Sequence, residues 1–448
     1  MKAYIETFGC QMNENDSERI MYLLEKEGYE RTYDIEISSL VILNTCTVRE
    51  KAKNRLYGHI GNLKRLKSKN KDILICIGGC TAQDLKEKII EDFPFIDIVF
   101  GTHNIPELPE LIKKRILTNR SICSIKDNGF DHDLFNVKRE YNFKAFVPIT
   151  IGCDNYCSYC IVPFVRGRGK SVEVKKIIRN IEGLASQGVI EVTLLGQNVN
   201  SYGKDLNEAC TFSGLLEKVS DIKGLKRIRF MTSHPKDFSR SIIDIIKNRN
   251  NLVRHIHLPM QAGSNKILKE MNRNYTREDY LNIIENIREE IPDCSITTDI
   301  IVGFPGEERD DFLETLDMVR KVRFNRAFTF IYSPREGTKA SKMKDYILTE
   351  EKKKWFKELL ENQNRISYEE NKKFAGKKFK VLVEGRSKKG TNLLEGRMEN
   401  NTIVNFKGGT SLIGKIVSVI ITRAKTFYLM GDLQKKAPQE PLHLYMGI

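Results

Sequence analysis

The chain has 448 residues, 40% of them hydrophobic, ten of them cysteine, which is enough for about three domains of ~150 residues, each with its own core. No apolar run approaches the ~18 residues of a membrane-spanning helix, and the opening Met-Lys-Ala-Tyr-Ile-Glu-Thr lacks the basic-then-apolar pattern of a secretory signal; neither a short disulfide-stapled export product nor a membrane-spanning helix is expected, and a reducing cytoplasm is. The 74 Lys and Arg exceed the 59 Asp and Glu, for a net charge of +15, which points to a polyanionic partner.

Residues 1–120 alternate buried apolar runs with polar helical stretches, the pattern of a small parallel α/β domain. Strands are predicted over 2–8, 40–44 and 73–77, and each runs directly into a cysteine: Phe8-Gly9-Cys10, Asn44-Thr45-Cys46 and Gly78-Gly79-Cys80. All strands of a parallel sheet end at one edge, where open α/β folds bind ligands, so three thiols scattered along the sequence are expected to meet there. A free cysteine is most often a buried structural thiol, and Cys76, Cys123, Cys210 and Cys294 are read that way. Three at equivalent strand ends argue otherwise. A polar stretch, 121–144, is expected to link this domain to the next.

Cys153, Cys157 and Cys160 follow in a C-x3-C-x2-C run, Gly-Cys-Asp-Asn-Tyr-Cys-Ser-Tyr-Cys. This spacing lets one loop fold three thiolates around an iron–sulfur cluster and leaves one iron open. The alternative is structural zinc, which prefers four closed ligands in paired arrangements, and no further Cys or His follows nearby. The motif resembles the signature of radical S-adenosylmethionine enzymes. That resemblance implies that the open iron binds S-adenosylmethionine and that one electron from the cluster cleaves it to a 5′-deoxyadenosyl radical.

From 145 to 371 the βα alternation resumes at larger scale. Strand candidates end at Cys153, Gln197, Ser233, Gln261, Gly303 and Ser333, with helical patterns over 172–185, 238–247 and 310–322 between them. Six units fit a partial (βα)6 barrel of the TIM type, open at the side to a macromolecular substrate. Amides, hydroxyls and glycine turns recur at its strand ends, so Gln197, Asn198, Ser233, Gln261, Asp299 and Gly303 are the expected contacts to S-adenosylmethionine. His234, His255 and His257 are read as satisfied packing residues, without a metal. Arg166-Gly167-Arg168-Gly169 is read as either a phosphate- or cofactor-orienting segment or a solvated basic turn. A helix is expected to open on Thr349 as its N-cap.

Over 372–440 five short alternating strands, 378–384, 393–397, 402–406, 414–422 and 427–431, predict a small antiparallel β-barrel of the oligonucleotide-binding kind. From residue 371 onward there are 15 Lys or Arg against 5 Asp or Glu, which shifts the expected partner towards nucleic acid. Phe379, Phe406, Phe427 and Tyr428 either stack bases or fill the core. The stretch resembles a TRAM domain, an RNA-binding module.

The motifs Phe-Gly-Cys-Gln-Met-Asn (8–13), Asn-Thr-Cys-Thr-Val-Arg-Glu (44–50), Leu-Gly-Gln-Asn-Val-Asn (195–200) and His-Leu-Pro-Met-Gln (257–261) are similar to those of the methylthiotransferases, a resemblance that covers nearly the whole α/β chain in three ordered domains. It implies that Cys10, Cys46 and Cys80 hold a second, auxiliary [4Fe–4S] cluster beside the radical one, and that sulfur is methylated there. The 5′-deoxyadenosyl radical then opens C2 of an N6-isopentenyladenosine in the anticodon stem-loop of tRNA to the methylthio group. An electron donor such as a flavodoxin or ferredoxin is implied, and a sulfur source that the residues leave unassigned. Cys153-Asp154-Asn155 and Asn272-Arg273-Asn274-Tyr275-Thr276 lean towards relatives acting on N6-threonylcarbamoyladenosine, which keeps that base open as an alternative. A non-catalytic iron–sulfur RNA-binding protein is the alternative of another class.

Overall fold

The computed structural model describes residues 1–47, 50–127, 129, 134–207 and 210–434, with the backbone alone for 50–56. Val48 and Arg49 of the second cysteine motif, residues 128 and 130–133 of the expected linker, and 435–440 of the third expected domain lie outside the described residues.

The first unit runs β1 (Lys2–Thr7), α1 (Gln11–Lys26), β2 (Glu30–Thr32), β3 (Leu40–Thr45), α2 (Glu50–Lys69), β4 (Leu74–Gly79), α3 (Cys80–Leu85), α4 (Lys88–Asp92), β5 (Ile98–Phe100), α5 (Leu108–Thr118) and β6 (Ile122–Ser124). Its six strands form one parallel sheet in the order β2-β1-β3-β4-β5-β6, and β6 lies inside the stretch read as a linker. Central β3 is Leu-Val-Ile-Leu-Asn-Thr, buried throughout, as a strand covered on both faces must be. Leu40 and Ile42 pack with Leu24 and Ile112 on one face, while Val41 and Leu43 pack with Ile60 and Leu63 on the other.

The second unit comprises β7 (Lys144–Pro148), β8 (Thr150–Ile151), α6 (Val162–Arg166), β9 (Lys170–Ser171), α7 (Val174–Ser186), β10 (Glu191–Leu195), α8 (Phe212–Ser220), β11 (Arg227–Phe230), α9 (Arg240–Asn248), β12 (His255–His257), α10 (Asn265–Glu270), α11 (Arg277–Glu290), β13 (Ser295–Val302), α12 (Arg309–Val322), β14 (Arg326–Ile331) and α13 (Thr349–Lys372). Parallel β7-β10-β11 and β12-β13-β14 are joined by a bridge between Ile228 and Leu252. Among the described residues β7 and β14 do not pair, so the barrel is open between them. Every residue of β14 is half-buried, whereas β10 and β11 are buried throughout.

Three local expectations change. The first barrel strand stops at Pro148, which has no N–H to continue the ladder, and Thr150–Ile151 pairs instead with Lys170–Ser171 in an antiparallel ribbon. The fourth strand ends at His257, because Pro259 has no N–H to donate to the ladder, and the left-handed Gln261 (φ 69°) rejoins β13 only as an isolated bridge to Ile300. Thr349 is the first helical residue of α13, and extended Leu348 takes the N-cap position without a side-chain bond.

The third unit is a closed barrel in the order β15 (Lys378–Arg386), β16 (Leu393–Met398), β17 (Ile403–Lys407), β19 (Leu429–Leu433), β18 (Ile416–Ala424). The β17–β19 pair is parallel, which corrects the all-antiparallel expectation: strands can alternate direction around a ring only if their number is even. Phe406 is core, and Phe379 packs edge-to-face on Phe374. Phe427 is exposed beside Arg326, and Tyr428 lies under Lys389.

This barrel docks on the amino-terminal edge of the larger one. Arg227 donates to the carbonyls of Arg397 (2.8 Å) and Lys380 (3.0 Å), and Arg229 to those of Glu399 (3.1 Å) and Met398 (3.0 Å). Lys144 meets Glu384 at 3.0 Å, and Glu384 in turn holds Arg397 at 2.9 Å. Among the described residues no helix is long and apolar enough to cross a membrane.

Candidate functional site

Cys10, Cys46 and Cys80 follow β1, β3 and β4, which are neighbours in the sheet with Thr7 opposite Asn44 and Thr45 opposite Gly79. The sheet edge therefore delivers all three thiols to one place. Side chains from the same motifs lock the loops: Asn13 donates to the Thr45 carbonyl (2.8 Å), Asn44 to the Asn13 carbonyl (2.8 Å), and Thr45 to the Gly78 carbonyl (2.6 Å). Cys10 is the N-cap of α1 and Cys80 opens α3. Burial pushes the Cys80 thiol up to about 12, with neighbouring Arg166 opposing the shift.

Gly9 (φ +118°) brings the first two loops into contact, since a Cβ there would lie 2.8 Å from Cys46 Sγ and overlap its Cβ. Gly9→Ala is expected to lose about half of the bound iron while still cleaving S-adenosylmethionine, because clash and left-handed strain fall on one triad alone. Iron analysis and cofactor turnover check this, and a full iron content would refute it.

The second triad sits on the loop between β8 and α6. Gly152 (φ +78°) turns the chain so that Cys153 N–H reaches the Gly167 carbonyl at 3.1 Å, and Cys160 N–H closes on the Cys157 carbonyl at 2.9 Å. The far side of the barrel clamps the loop: Ser158 N–H donates to the Met271 carbonyl (3.0 Å), and Asn272 Nδ2 to the carbonyls of Tyr156 (2.9 Å) and Asn155 (3.3 Å). The three thiols lie within electrostatic reach of one another, and burial pushes Cys153 up and Cys160 up to about 12. A buried thiol of this kind ionises when a cation is there to hold it.

Among the described residues no three His, Cys, Asp or Glu side chains stand at the spacing of a single bound ion. Two all-sulfur triads, each with its thiols within electrostatic reach of one another, are the donor chemistry of iron–sulfur clusters.

Helix α6 joins the two triads. It begins two residues after Cys160, packs Val165 and its N-cap Ile161 against Cys80, and ends on Arg166. The buried guanidinium of Arg166 donates to Cys80 Sγ (3.3 Å) and Asn13 Oδ1 (3.1 Å) and pairs with Asp16 (2.7 Å). The solvated-turn reading thus holds for exposed Arg168, paired with Asp154 at 3.0 Å, and not for Arg166.

The strand-end residues form a continuous rim at the carboxyl edge of the barrel. Val199 N–H bonds the Thr232 carbonyl, Ser233 N–H the His257 carbonyl, and Gln261 N–H the Asp299 carbonyl. Asn198 Oδ1 and Ser233 Oγ are buried without partners among the described residues, as are both amide atoms of Asn200, Glu307 Oε1, Tyr332 Oη and His234 Nε2. Orphaned polar atoms converging on one rim are what a polar cofactor with amine, carboxylate and hydroxyl groups would satisfy. Gln197 accepts from Gly152 N–H at 2.6 Å and so braces the cluster loop. Gln261 contributes a left-handed turn, half-exposed Asp299 faces His257 Nε2 at 3.5 Å, and Gly303 donates its N–H to Glu307.

Sequence reasoning reads His234 as a packer, leaves Arg166 between an orienting and a solvated role, and gives Arg273 no role in the site. His255 and His257 both bond Thr297 Oγ1 at 3.0 Å, and His255 Nδ1 is left without a partner among the described residues. His234 differs, since its Nδ1 accepts from Lys236 N–H (3.2 Å), which places the proton on the unpartnered Nε2. Burial lowers its pKa to about 3, so it remains a neutral donor.

Three family models match in order: the uncharacterized protein family UPF0004 over residues 2–101, the radical SAM superfamily over 147–319, and the TRAM domain over 372–433. The chain is 49% identical over 433 residues to the tRNA-2-methylthio-N(6)-dimethylallyladenosine synthase of Thermoanaerobacter pseudethanolicus, covering 96% of this chain and 92% of that one. It is 48% identical to the protein of the same name from Clostridium perfringens, covering 96% and 97%. Among solved structures, the radical S-adenosylmethionine methyltransferase TsrM from Kitasatospora setae, with cobalamin and a [4Fe-4S] cluster bound, shares the fold at a TM-score of 0.56 and 15% identity over 76% of this chain and 74% of that one.

Proposed function

As the chain belongs to the tRNA-2-methylthio-N(6)-dimethylallyladenosine synthase family, we infer that it is the radical S-adenosylmethionine enzyme that adds a methylthio group to N6-isopentenyladenosine in tRNA, with two [4Fe–4S] clusters. The observation that carries the reading is the pair of three-thiol sites flanking one short helix, α6. Cys10, Cys46 and Cys80 would hold the auxiliary cluster, and Cys153, Cys157 and Cys160 the radical one. When bound, the clusters and S-adenosylmethionine supply the one-electron and sulfur chemistry that an unactivated aromatic C–H requires.

The protein's own residues bind, orient and shield. Asn198, Ser233, Gln261, Asp299 and Gly303, with Asn200, His234 and Glu307 beside them, would receive S-adenosylmethionine on the rim, and Gln197 would hold the loop that carries the radical cluster beneath it. The opening between β7 and β14 would admit the tRNA. Arg386, Lys407 and Thr410 line an open groove on the small barrel, and with Lys388 and Lys389 they would follow the phosphate backbone of the anticodon stem-loop. A flavodoxin- or ferredoxin-like donor and a cytoplasmic location complete the proposal.

The residues that lean towards the threonylcarbamoyl relatives have internal duties. Asp154 pairs with Arg168, and Asn272 clamps the cluster loop.

Anaerobic incubation with tRNA, reductant and S-adenosylmethionine, followed by nucleoside analysis, is expected to convert isopentenyladenosine to its 2-methylthio derivative and to release 5′-deoxyadenosine. Isopentenyladenosine left unthiolated by a fully loaded enzyme would overturn the substrate assignment. An absence of 5′-deoxyadenosine would favour the non-catalytic RNA-binding alternative.

A further inference from the structure

Two buried arginines touch proposed cluster ligands, and their counter-charges differ. Arg166, on Cys80 Sγ, meets Asp16 Oδ2 at 2.7 Å; the other oxygen of Asp16 lies 3.5 Å from Arg19. Arg273 donates from Nη1 to Cys157 Sγ at 3.4 Å, from Nη2 to the Pro259 carbonyl at 3.0 Å and from Nε to the Tyr275 hydroxyl at 3.1 Å. These acceptors are sulfur, a carbonyl and a phenol, and among the described residues no carboxylate pairs with Arg273.

The placement is built in. Left-handed Asn272 (φ 56°) turns the chain, Arg273 N–H returns to the Leu268 carbonyl at 2.8 Å, and the Asn272 side chain holds the cluster loop. The same turn that clamps the loop aims the guanidinium at its central cysteine.

A guanidinium buried without a counter-ion is strongly unfavourable, so its position implies a negative group next to Cys157. Three thiolates around a dicationic four-iron core carry one net negative charge, and uptake of one electron makes it two. A fixed positive charge on a ligand sulfur favours the more negative state, and hydrogen bonds to sulfur act in the same direction.

Resting on the ligand assignment above, we propose that Arg273 is the counter-charge that makes the radical cluster the preferred acceptor of the incoming electron. Arg166, offset at contact by Asp16, leaves the auxiliary cluster harder to reduce. The electron comes from an external one-electron donor, which is oxidised as the cluster is reduced, and no proton or bond is exchanged in this step.

The test is a redox titration followed by electron paramagnetic resonance on the full chain, anaerobically reconstituted in two backgrounds. Cys10→Ala, Cys46→Ala and Cys80→Ala together leave only the radical cluster; Cys153→Ala, Cys157→Ala and Cys160→Ala leave only the auxiliary one. Arg273→Gln is expected to lower the reduced-to-oxidised ratio of the radical cluster at least tenfold at fixed ambient potential, about 59 mV for a one-electron couple, and Arg273→Lys to restore most of it. Asp16→Asn is expected to raise the ratio for the auxiliary cluster. An unmoved radical-cluster potential in Arg273→Gln at parental iron and sulfide content overturns the inference, as does an unmoved auxiliary potential in Asp16→Asn. Should Arg273→Gln fail to hold iron, the Asp16→Asn arm decides alone. Failure of the two background proteins themselves to bind iron would instead refute the ligand assignment.

Discussion

A chain ending at residue 371 is expected to unfold at a lower temperature and to be cut more readily within the larger barrel, and not simply to lose affinity for tRNA. A module tethered by a linker can be removed without penalty to its neighbour, but this one is a lid. Arg227 and Arg229 start a strand in the interior of the larger barrel, and both point to its amino-terminal edge. There, four N–H groups find their acceptors in the backbone of the small barrel. Glu191 meets Arg229 at 3.1 Å and Arg227 at 3.9 Å, and one carboxylate cannot replace four carbonyls. Burial, with Arg229 beside it, lowers the Arg227 pKa to about 10, and Glu191 opposes the shift.

The full-length variant Arg227→Met isolates this effect from loss of the whole domain. It should cost about 3 kcal/mol, the scale of two hydrogen bonds from a charged donor, or about 6–12 °C in the midpoint of a unit this size, while leaving tRNA affinity nearly unchanged. Thermal unfolding and limited proteolysis provide the measurement. Equal midpoints for the full and shortened chains would show that the contact is decorative.

This docking bears on how RNA reaches the chemistry. The cluster loop lies at the carboxyl edge of the larger barrel and the small barrel at the amino edge, so an RNA held by the latter must run along the side to reach the former. The side is open, between β7 and β14, and β14 there keeps all its residues half-buried. Exposed Phe427 beside Arg326 marks the beginning of that path. Rigid attachment would fix the distance from the RNA-holding surface to the cluster, which suits an enzyme that must select one base in a loop.

What sequence reasoning could read, and what it could not, divides along physical lines. Cys10, Cys46 and Cys80 were legible because each ends an apolar run, and parallel strands bring their ends to one edge whatever their separation in the chain. Cys153, Cys157 and Cys160 were legible because one loop carries all three. The six barrel strands were legible as apolar runs, but their ends were misjudged where Pro148 and Pro259 withdraw a donor. The sequence leaves Arg166 undecided and Arg273 without a role because nothing in a linear string says whether an arginine is buried. Arg166 sat in a basic turn that looks solvated, and only the packing of α6 on Cys80 turns it inward. His234 was set aside with its neighbours on residue type alone, and its difference lies in a backbone N–H two residues on. Docking of the small barrel was illegible for a plainer reason: its acceptors are backbone carbonyls, and every residue has one.

Replacing one cysteine from each triad should separate the two halves of the reaction. Cys157→Ala removes the proposed ligand nearest Arg273 and leaves that guanidinium facing an empty position. It is expected to halve the bound iron, abolish 5′-deoxyadenosine release and abolish methylthiolation, with activity falling below detection. Cys10→Ala should also halve the iron and abolish methylthiolation, yet it should still release 5′-deoxyadenosine, because the loop from Gly152 to Gly167 and its clamp at Asn272 are untouched. Cys10 is exposed while Cys46 and Cys80 are buried, so its loss should disturb the sheet least and the chain should remain folded. Cys76→Ala controls for simple loss of a thiol. It lies in β4, wholly buried, and should cost stability through the missing sulfur while both clusters and both products persist. If Cys10→Ala lost cofactor cleavage as completely as Cys157→Ala, the two triads would not be independent sites, and the contact of Arg166 with Cys80 would have to be read as part of a single centre.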